Sequence, residues 1–472
     1  MRGARLILAS AVLLATTLGA HFGIRAASRI AAPQVQIPEL HVMGSGGVRR
    51  AGRSSVRSVG NILEVRLLGS PEEIGAAHAT LLRDEMIRTE GVVWELLHQK
   101  VKSWVARELL LSAGELGYRH LANGFGDAQR REFAASAVAF RPDPFADRWD
   151  TFQRFVYLAA LYDISLAYEH SPLLGCTTFT FSGTASADSP ILARTFDFDV
   201  HDIFDEKKVV FLVLEEGKIP FASVSWPGLV GVVSGMNREG LAVVVHGARA
   251  GPTRTVGEPV VAELRRLLSQ SRTTDEAVRA LALTEPLVSH IVILSDASGH
   301  AVAVERVPGA PIFARPLGER AAVTNHLEGP FAADAKNQRV RESSSTLARR
   351  ARGDELVSSL AHPATVLDAV GMLRDRKGPG GAPLPLGDRR AVDALIATHA
   401  IVMETRARRL WVSEAPHALG PFLSFDLGRL LGPSEPPEDG GTVPQIPADP
   451  LLESGEYARF RASTIVTGST PR

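Results

Sequence analysis

A single cysteine, Cys176, sets the first limit on this chain: without a second thiol there is no internal disulfide, so buried side chains alone must hold the fold. With no second Cys and no His/Cys cluster nearby, a zinc site is a poor fit, which leaves packing or nucleophilic chemistry for the thiol. The 472 residues, 45% apolar and 22% charged, suffice for one large core or two moderate ones. Basic and acidic residues balance at 52 each, so net charge gives no reason to expect nucleic acid or an acidic membrane surface as partner.

The cysteine lies in Leu173-Leu174-Gly175-Cys176-Thr177-Thr178-Phe179-Thr180-Phe181. Gly175 has no Cβ, which frees its backbone and leaves its carbonyl open to the following side chain. Residues 176–183 alternate polar and apolar as a strand does, and Ile191 to Phe196 reads as a second strand after a turn at Ala187-Asp188-Ser189-Pro190. Such a hairpin returns Arg194 and Asp197 to the cysteine end, where a thiol, a guanidinium and a carboxylate can share one site.

These residues, Gly-Cys-Thr-Thr-Phe followed by Arg194-Thr195-Phe196-Asp197-Phe198-Asp199, resemble the start of the mature chain in N-terminal nucleophile (Ntn) hydrolases of the acyl-CoA:6-aminopenicillanic acid acyltransferase family. Choloylglycine hydrolases and acid ceramidases are more distant relatives. The resemblance implies an α+β, four-layer αββα sandwich and a precursor that cuts itself between Gly175 and Cys176. It also implies that residues from about 60 to 175 form a helical, prosegment-derived chain that stays associated after cleavage. Gly69-Ser70-Pro71-Glu72-Glu73-Ile74-Gly75 to His78 is similar to a segment of the same family.

Along the chain, Met1-Arg2-Gly3-Ala4-Arg5 and the apolar run Leu6 to Ala20 read as an export signal over residues 1–27, with an uncleaved membrane anchor as the alternative. Export implies a periplasmic or extracellular protein. Residues 28–60, rich in Gly, Pro and Arg, read as a polar linker with solvated basic residues. Asn61 to Leu68 reads as a strand, and Ser70, Pro71 and Glu73 cap a helix running, with one break, to about Leu111. His78 on that helix is expected to cap or pack. The runs Val209 to Leu214, Phe221 to Trp226, Leu241 to Val245, His290 to Leu294, Ala301 to Val304, Ala321 to Thr324, His399 to Glu404 and Leu410 to Ser413 read as strands. Helices are expected near Pro259–Gln270 and Thr274–Leu283, in a catalytic region 176–432, with a surface loop at Lys377 to Asp388. A tail over 433–472 is expected to be unstructured between Gly432 and Pro450.

Gly235-Met236-Asn237-Arg238-Glu239-Gly240-Leu241-Ala242 resembles a family hairpin in which Asn237 and Gly240 supply positive φ, so Asn237 is structural. Thr324-Asn325-His326 resembles the family's second-asparagine motif and implies that the Asn325 amide approaches the substrate carbonyl. In relatives the oxyanion hole is built from the region matching Val245-His246-Gly247, and bile salt hydrolases carry an asparagine at the position aligned with Gly247; here the backbone N–H or His246 would have to substitute. The basic run Arg339 to Ser345 falls where relatives place an active-site arginine, but a solvated helix face is the expectation.

By this resemblance Cys176 is the nucleophile, its freed α-amine the base, Arg194 the group that favours thiolate, and Asp197 the partner of the α-ammonium. Neither a cofactor nor a metal is implied; the expected partner is a small acyl amide or thioester. The expected enzyme is an amidohydrolase or acyltransferase working through an acyl-Cys176 intermediate. H-E-x-x-H and G-x-S-x-G are both missing from the sequence, which argues against zinc or Ser-His-Asp hydrolysis. The alternative is a non-catalytic exported binding protein that keeps the scaffold.

Overall fold

The computed structural model of the protein describes residues 19, 23–167, 175–433 and 443–467. The predicted export segment lies largely outside the described residues, as do Leu173 and Leu174. Among the described residues no helix is long and apolar enough to cross a membrane.

Four strands come first: β1 (Met43–Ser45), β2 (Val48–Ala51), β3 (Ser54–Val59) and β4 (Ile62–Gly69). Helices α1 (Pro71–Lys100), α2 (Trp104–Gly117), α3 (Asp127–Ala139), α4 (Thr151–Ala159) and α5 (Leu161–Ala167) follow. The hairpin β5 (Gly175–Phe181) and β6 (Ile191–Asp197) leads to β7 (Val209–Glu215), β8 (Phe221–Ser225), β9 (Ser234–Asn237) and β10 (Ala242–Gly247). After α6 (Val260–Gln270) and α7 (Thr274–Leu281) come β11 (His290–Ser295), β12 (Ala301–Arg306), β13 (Phe313–Pro316) and β14 (Arg320–Val323). Then α8 (Thr346–Ser359) and α9 (Val366–Leu373) precede β15 (Ala397–Glu404), β16 (Arg409–Ser413), β17 (Phe422–Asp426) and β18 (Gln445–Ile446).

These strands make two sheets, ordered β1-β2-β3-β4-β7-β8-β9-β10-β11-β12-β13 and β14-β5-β6-β15-β16-β17-β18. Period-two alternation decides which side chain enters which layer. In β7, Val210 and Leu212 meet Ile401 and Val412 of the second sheet, whereas Val209, Phe211 and Val213 face Ile74 of α1 and Leu264 of α6. The outer face of the second sheet, with Phe179, Phe181 and Val402, is covered by Val357 of α8 and Val370 of α9. Helix, sheet, sheet, helix is the resulting order: the αββα sandwich expected from the sequence.

The N-terminal region is built into this sandwich. β4 pairs in parallel with β7, Leu63 opposite Val209 through Gly69 opposite Glu215, so a strand from before the cysteine lies inside the first sheet. Ser70 caps α1 as predicted: its Oγ accepts from the Glu73 amide at 3.3 Å and Glu73 Oε2 accepts from the Ser70 amide at 2.9 Å. α1 bends at Leu82 and ends at Lys100, so the predicted break is real.

Three expectations are corrected here. Residues 28–60 are not simply a linker: Val48, Ala51, Val56 and Val59 are buried at strand spacing, and β1 to β3 extend the first sheet. Their arginines are paired too, Arg57 to Glu64 at 2.6 Å and Arg53 to Glu216 at 2.8 Å. The C-terminal tail is not unstructured where it is described, because β18 joins β17 and Asp449 binds Arg376 at 3.0 Å. In the β9–β10 turn Gly240 takes φ +88°, but Asn237 has no positive φ. Asn237 instead holds the turn by its side chain, accepting from the Glu239 and Leu241 amides and donating to Leu268 and Ser271 carbonyls.

Candidate active site

The β5–β6 hairpin places Gly175 opposite Asp197, Cys176 opposite Phe196 and Thr178 opposite Arg194. Cys176, Thr178 and Arg194 point between the sheets, since alternate positions Phe179 and Ala193 lie in the outer core. The thiol is fully buried. Arg194 Nη2 lies 3.0 Å from Cys176 Sγ and donates to the Val245 carbonyl at 2.8 Å; Nη1 donates to the Val233 carbonyl at 2.8 Å and Ser234 Oγ at 2.6 Å. No carboxylate bonds this guanidinium among the described residues, so carbonyl dipoles and the sulfur carry its compensation. Burial pushes the Cys176 thiol up, and Arg194 opposes that shift by favouring the thiolate.

Asp197 sits across the ladder from Gly175, and its Oδ1 is buried with no hydrogen-bond partner among the described residues. Burial raises this carboxyl to about 7, against the pull of Arg349, Arg389 and Arg194; Asp393 adds to the rise. An orphaned acceptor across the ladder from Gly175, the residue before Cys176, has the chemistry to receive an ammonium.

Asn325, just beyond β14, is brought to the cysteine as predicted, but with its amide turned to another task. Its Oδ1 accepts from the Cys176 amide at 2.7 Å and from Arg349 Nη2 at 3.0 Å, and its Nδ2 donates to the Gly247 carbonyl at 3.1 Å. Two donors on one side and a carbonyl on the other fix the orientation of the amide. One of the two N–H donors expected to face a substrate carbonyl is therefore committed to Gly247, and the second has no partner among the described residues.

His246 is not free to substitute either. Its Nε2 contacts Thr178 Oγ1 at 2.7 Å and its Nδ1 lies 3.2 Å from the Thr324 carbonyl, so Nδ1 carries the proton and both nitrogens are used. Burial and the nearby Arg194 keep the ring neutral, well below its ordinary value. Gly247 presents its Cα to α5: a Cβ there would meet Leu166 Cδ2 at 3.1 Å and Tyr162 Oη at 3.6 Å. His78, by contrast, packs against Phe211 and accepts from the Gly228 amide at 3.1 Å, which is the structural role expected of it.

Sequence reasoning missed Arg349. The basic stretch is not simply a solvated face: from α8 this buried arginine donates through Nη1 to the Cys176 carbonyl and to Thr177 Oγ1 at 3.0 Å, and through Nε to Ser345 Oγ at 3.2 Å. A signal existed. Thr346, Arg349, Gly353 and Val357 are the buried positions of α8, one helical stripe on which Arg349 is the only arginine. His399 was missed as well; it stacks on Phe196 at 5.3 Å and bonds Ser234 Oγ at 2.9 Å, extending the chain of contacts from Arg194.

Phe196, the cross-strand neighbour of Cys176, and Tyr162 form one wall of an apolar cavity of about 140 Å³, completed by Phe155, Trp226, Val233 and Val261. A second cavity, of about 610 Å³ between α1, α2 and α4, shares Val93, Leu158, Leu161, Phe198 and Phe204 with the first. The two are separated by this shared apolar wall.

Residues 184–412 match the family model described as acyl-coenzyme A:6-aminopenicillanic acid acyl-transferase. The matched stretch contains Arg194, Asp197, His246, Gly247, Asn325 and Arg349, and begins just after β5. No curated protein matches the chain. Among solved structures it is similar to the Caenorhabditis elegans ortholog of N-acylethanolamine-hydrolyzing acid amidase, at 16% identity over 51% of this chain and 100% of that one, TM-score 0.38. Penicillin V acylase from Agrobacterium tumefaciens is 17% identical over 54% of this chain and 87% of its own, TM-score 0.37. A mutant of the Clostridium perfringens conjugated bile acid hydrolase is 8% identical over 58% and 97%, TM-score 0.40.

Proposed function

We propose that this protein is a self-activating cysteine amidohydrolase or acyltransferase of the Ntn type, and that its substrate is an amide or thioester with an apolar acyl group. The observation that carries the reading is the juxtaposition on one hairpin: Arg194 Nη2 at 3.0 Å from Cys176 Sγ, with Asp197 opposite the residue before the cysteine.

In the precursor, Sγ attacks the Gly175 carbonyl carbon, the C–N bond to Cys176 breaks, and the nitrogen takes up the thiol proton as an amine. Water then hydrolyses the thioester, giving a Gly175 carboxylate and a free thiol. Asn325 Oδ1, at 2.7 Å from the Cys176 nitrogen, and the unpaired Asp197 Oδ1 provide for the ammonium so formed. Arg349 holds the Cys176 carbonyl in place throughout.

In the mature enzyme the α-amine, ordinarily titrating near 7.7–8.0, takes the thiol proton, and no histidine is needed. The thiolate attacks the acyl carbon, the protonated leaving group departs, and an acyl-Cys176 thioester remains. Water as acceptor makes the protein a hydrolase; an amine or hydroxyl makes it a transferase. The apolar cavity flanked by Phe196 and Tyr162 suits the acyl chain. The two fragments stay associated because β4 is hydrogen-bonded along β7. Export rests on the apolar run after Arg5 alone.

Intact-mass measurement on the purified protein tests this. The expected result is two co-purifying chains divided at 175/176, with release of amine from N-acyl substrates, and neither event in Cys176→Ala. An unsplit wild-type chain that binds acyl compounds without turnover would instead make it a binding protein, and a Cys176→Ala chain that still divides would assign the cleavage to another nucleophile.

A further inference from the structure

The side chains around the thiol are largely committed: one N–H of Asn325 Nδ2 donates to the Gly247 carbonyl, His246 Nδ1 donates to the Thr324 carbonyl, and Gly247 has no side chain, which leaves a gap at its position on β10. One donor next to this gap is unused. Tyr162, on α5, has a buried phenol oxygen with no hydrogen-bond partner among the described residues. Its Oη would lie 3.6 Å from a Cβ built on Gly247, its ring stacks on Phe196, the cross-strand neighbour of Cys176, and Tyr162 and Phe196 line the same apolar cavity.

Building on the proposed acyl-transfer reading, we infer that Tyr162 is a further catalytic residue whose phenol donates a hydrogen bond to the acyl oxygen as the thiolate adds, with Gly247 small so that the phenol can stand there. A buried donor left unpaired costs about 1–3 kcal/mol, so an orphan persists most readily where a partner arrives during function. The hydroxyl keeps its proton in this role. Burial, and the proximity of Cys176, hold the phenol in its neutral form well above its ordinary titration range. Leu166, which also crowds Gly247, fixes α5 against β10 so that the donor is set before substrate arrives.

Tyr162→Phe removes one oxygen and leaves the ring packing intact. Four measurements are made on wild type and variant together: the fraction of chain split at 175/176, kcat and KM for an N-acyl amide, and affinities for decanal and decanoate. Decanal adds to a thiolate and forms an oxyanion, whereas decanoate only fills the cavity. The inference expects a fully split variant with kcat about 100-fold lower, KM within about twofold, and decanal affinity reduced by a similar factor with decanoate unaffected. A kcat less than about tenfold lower, equal losses for decanal and decanoate, or an unsplit variant would each overturn it. A wild-type chain that neither splits nor turns over amide overturns the underlying reading instead, so the two failures are distinguishable.

Discussion

Gly175 and Asp197 face each other across the β5–β6 ladder so closely that a Cβ on the glycine would stand 3.1 Å from Asp197 Cβ and 3.3 Å from its Oδ2. In the proposed self-cleavage, the residue whose carbonyl is attacked is thus pressed against the carboxylate that receives the new amine. Gly175→Ala is expected to push Asp197 aside at an overpacking cost of about 1–2 kcal/mol, slowing self-cleavage about tenfold. The split fraction followed against time by intact mass checks this; a rate equal to that of wild type would show that the contact does not matter.

Arg349 makes its contacts with a planar fork that an ammonium cannot copy. Arg349→Lys keeps the charge but surrenders at least two charge-assisted bonds among the Cys176 carbonyl, Thr177 and Asn325. At about 1.5–3 kcal/mol each, processing or turnover is expected to fall at least about 100-fold. Rates near wild type with lysine would reduce Arg349 to a point charge.

Asp197 gives the precursor a pH-dependent stability whose sign is fixed by its raised carboxyl. Folded, it titrates at about 7; unfolded, at about 3.9. Between these values the unfolded chain has lost its proton while the folded chain keeps it, so stability is lost as pH rises from about 4 to about 7 and is level above. In the Cys176→Ala background, which the proposed function expects to stay unsplit, adding Asp197→Asn should remove this loss. Melting temperatures of the two chains should agree at pH 5 more closely than at pH 8, where the Asp197 chain melts lower. Arg349, Arg389, Arg194 and Asp393 all face the group, and a difference in melting temperature that ignores pH would mean that they cancel the burial effect.

Leu158 of α4 lines both the cavity beside Phe196 and the larger one beyond it. Leu158→Trp should fill space on both sides of this shared wall. KM for an N-decanoyl amide is expected to rise at least about tenfold while that for an N-acetyl amide stays within twofold. Equal effects on both substrates would place the acyl chain elsewhere.

Much of this site is legible in the sequence, because it is local. Cys176, Arg194 and Asp197 lie on one hairpin whose alternation and turn are written in consecutive residues, and hairpin register follows from strand period. Asn325 carried a motif, but its task did not: the same amide can donate to a substrate or to Gly247, and only the position of β10 decides between them. Arg349 shares its stretch with Arg339, Arg341, Arg350 and Arg352, and composition cannot tell which of them turns inward. Packing does, since Gly353 lets α8 approach Ala322 and Phe179 closely enough to bury the same stripe. Residues 28–60 misled through their Gly, Pro and Arg content, whose buried valines have meaning only once β4 offers an edge to pair with.

By itself, the sequence determined the layered strands, the capped first helix and the thiol–guanidinium–carboxylate hairpin, all of which depend on spacing within a few tens of residues. Tertiary structure alone decided which donors are spent and which are spare: His246 and one N–H of Asn325 are committed to distant carbonyls, while Tyr162 has no partner among the described residues. The reason is that a polar side chain becomes committed through partners far away in the chain, and hydrogen bonding in a buried site leaves free only those groups that folding has placed beyond every neighbour's reach.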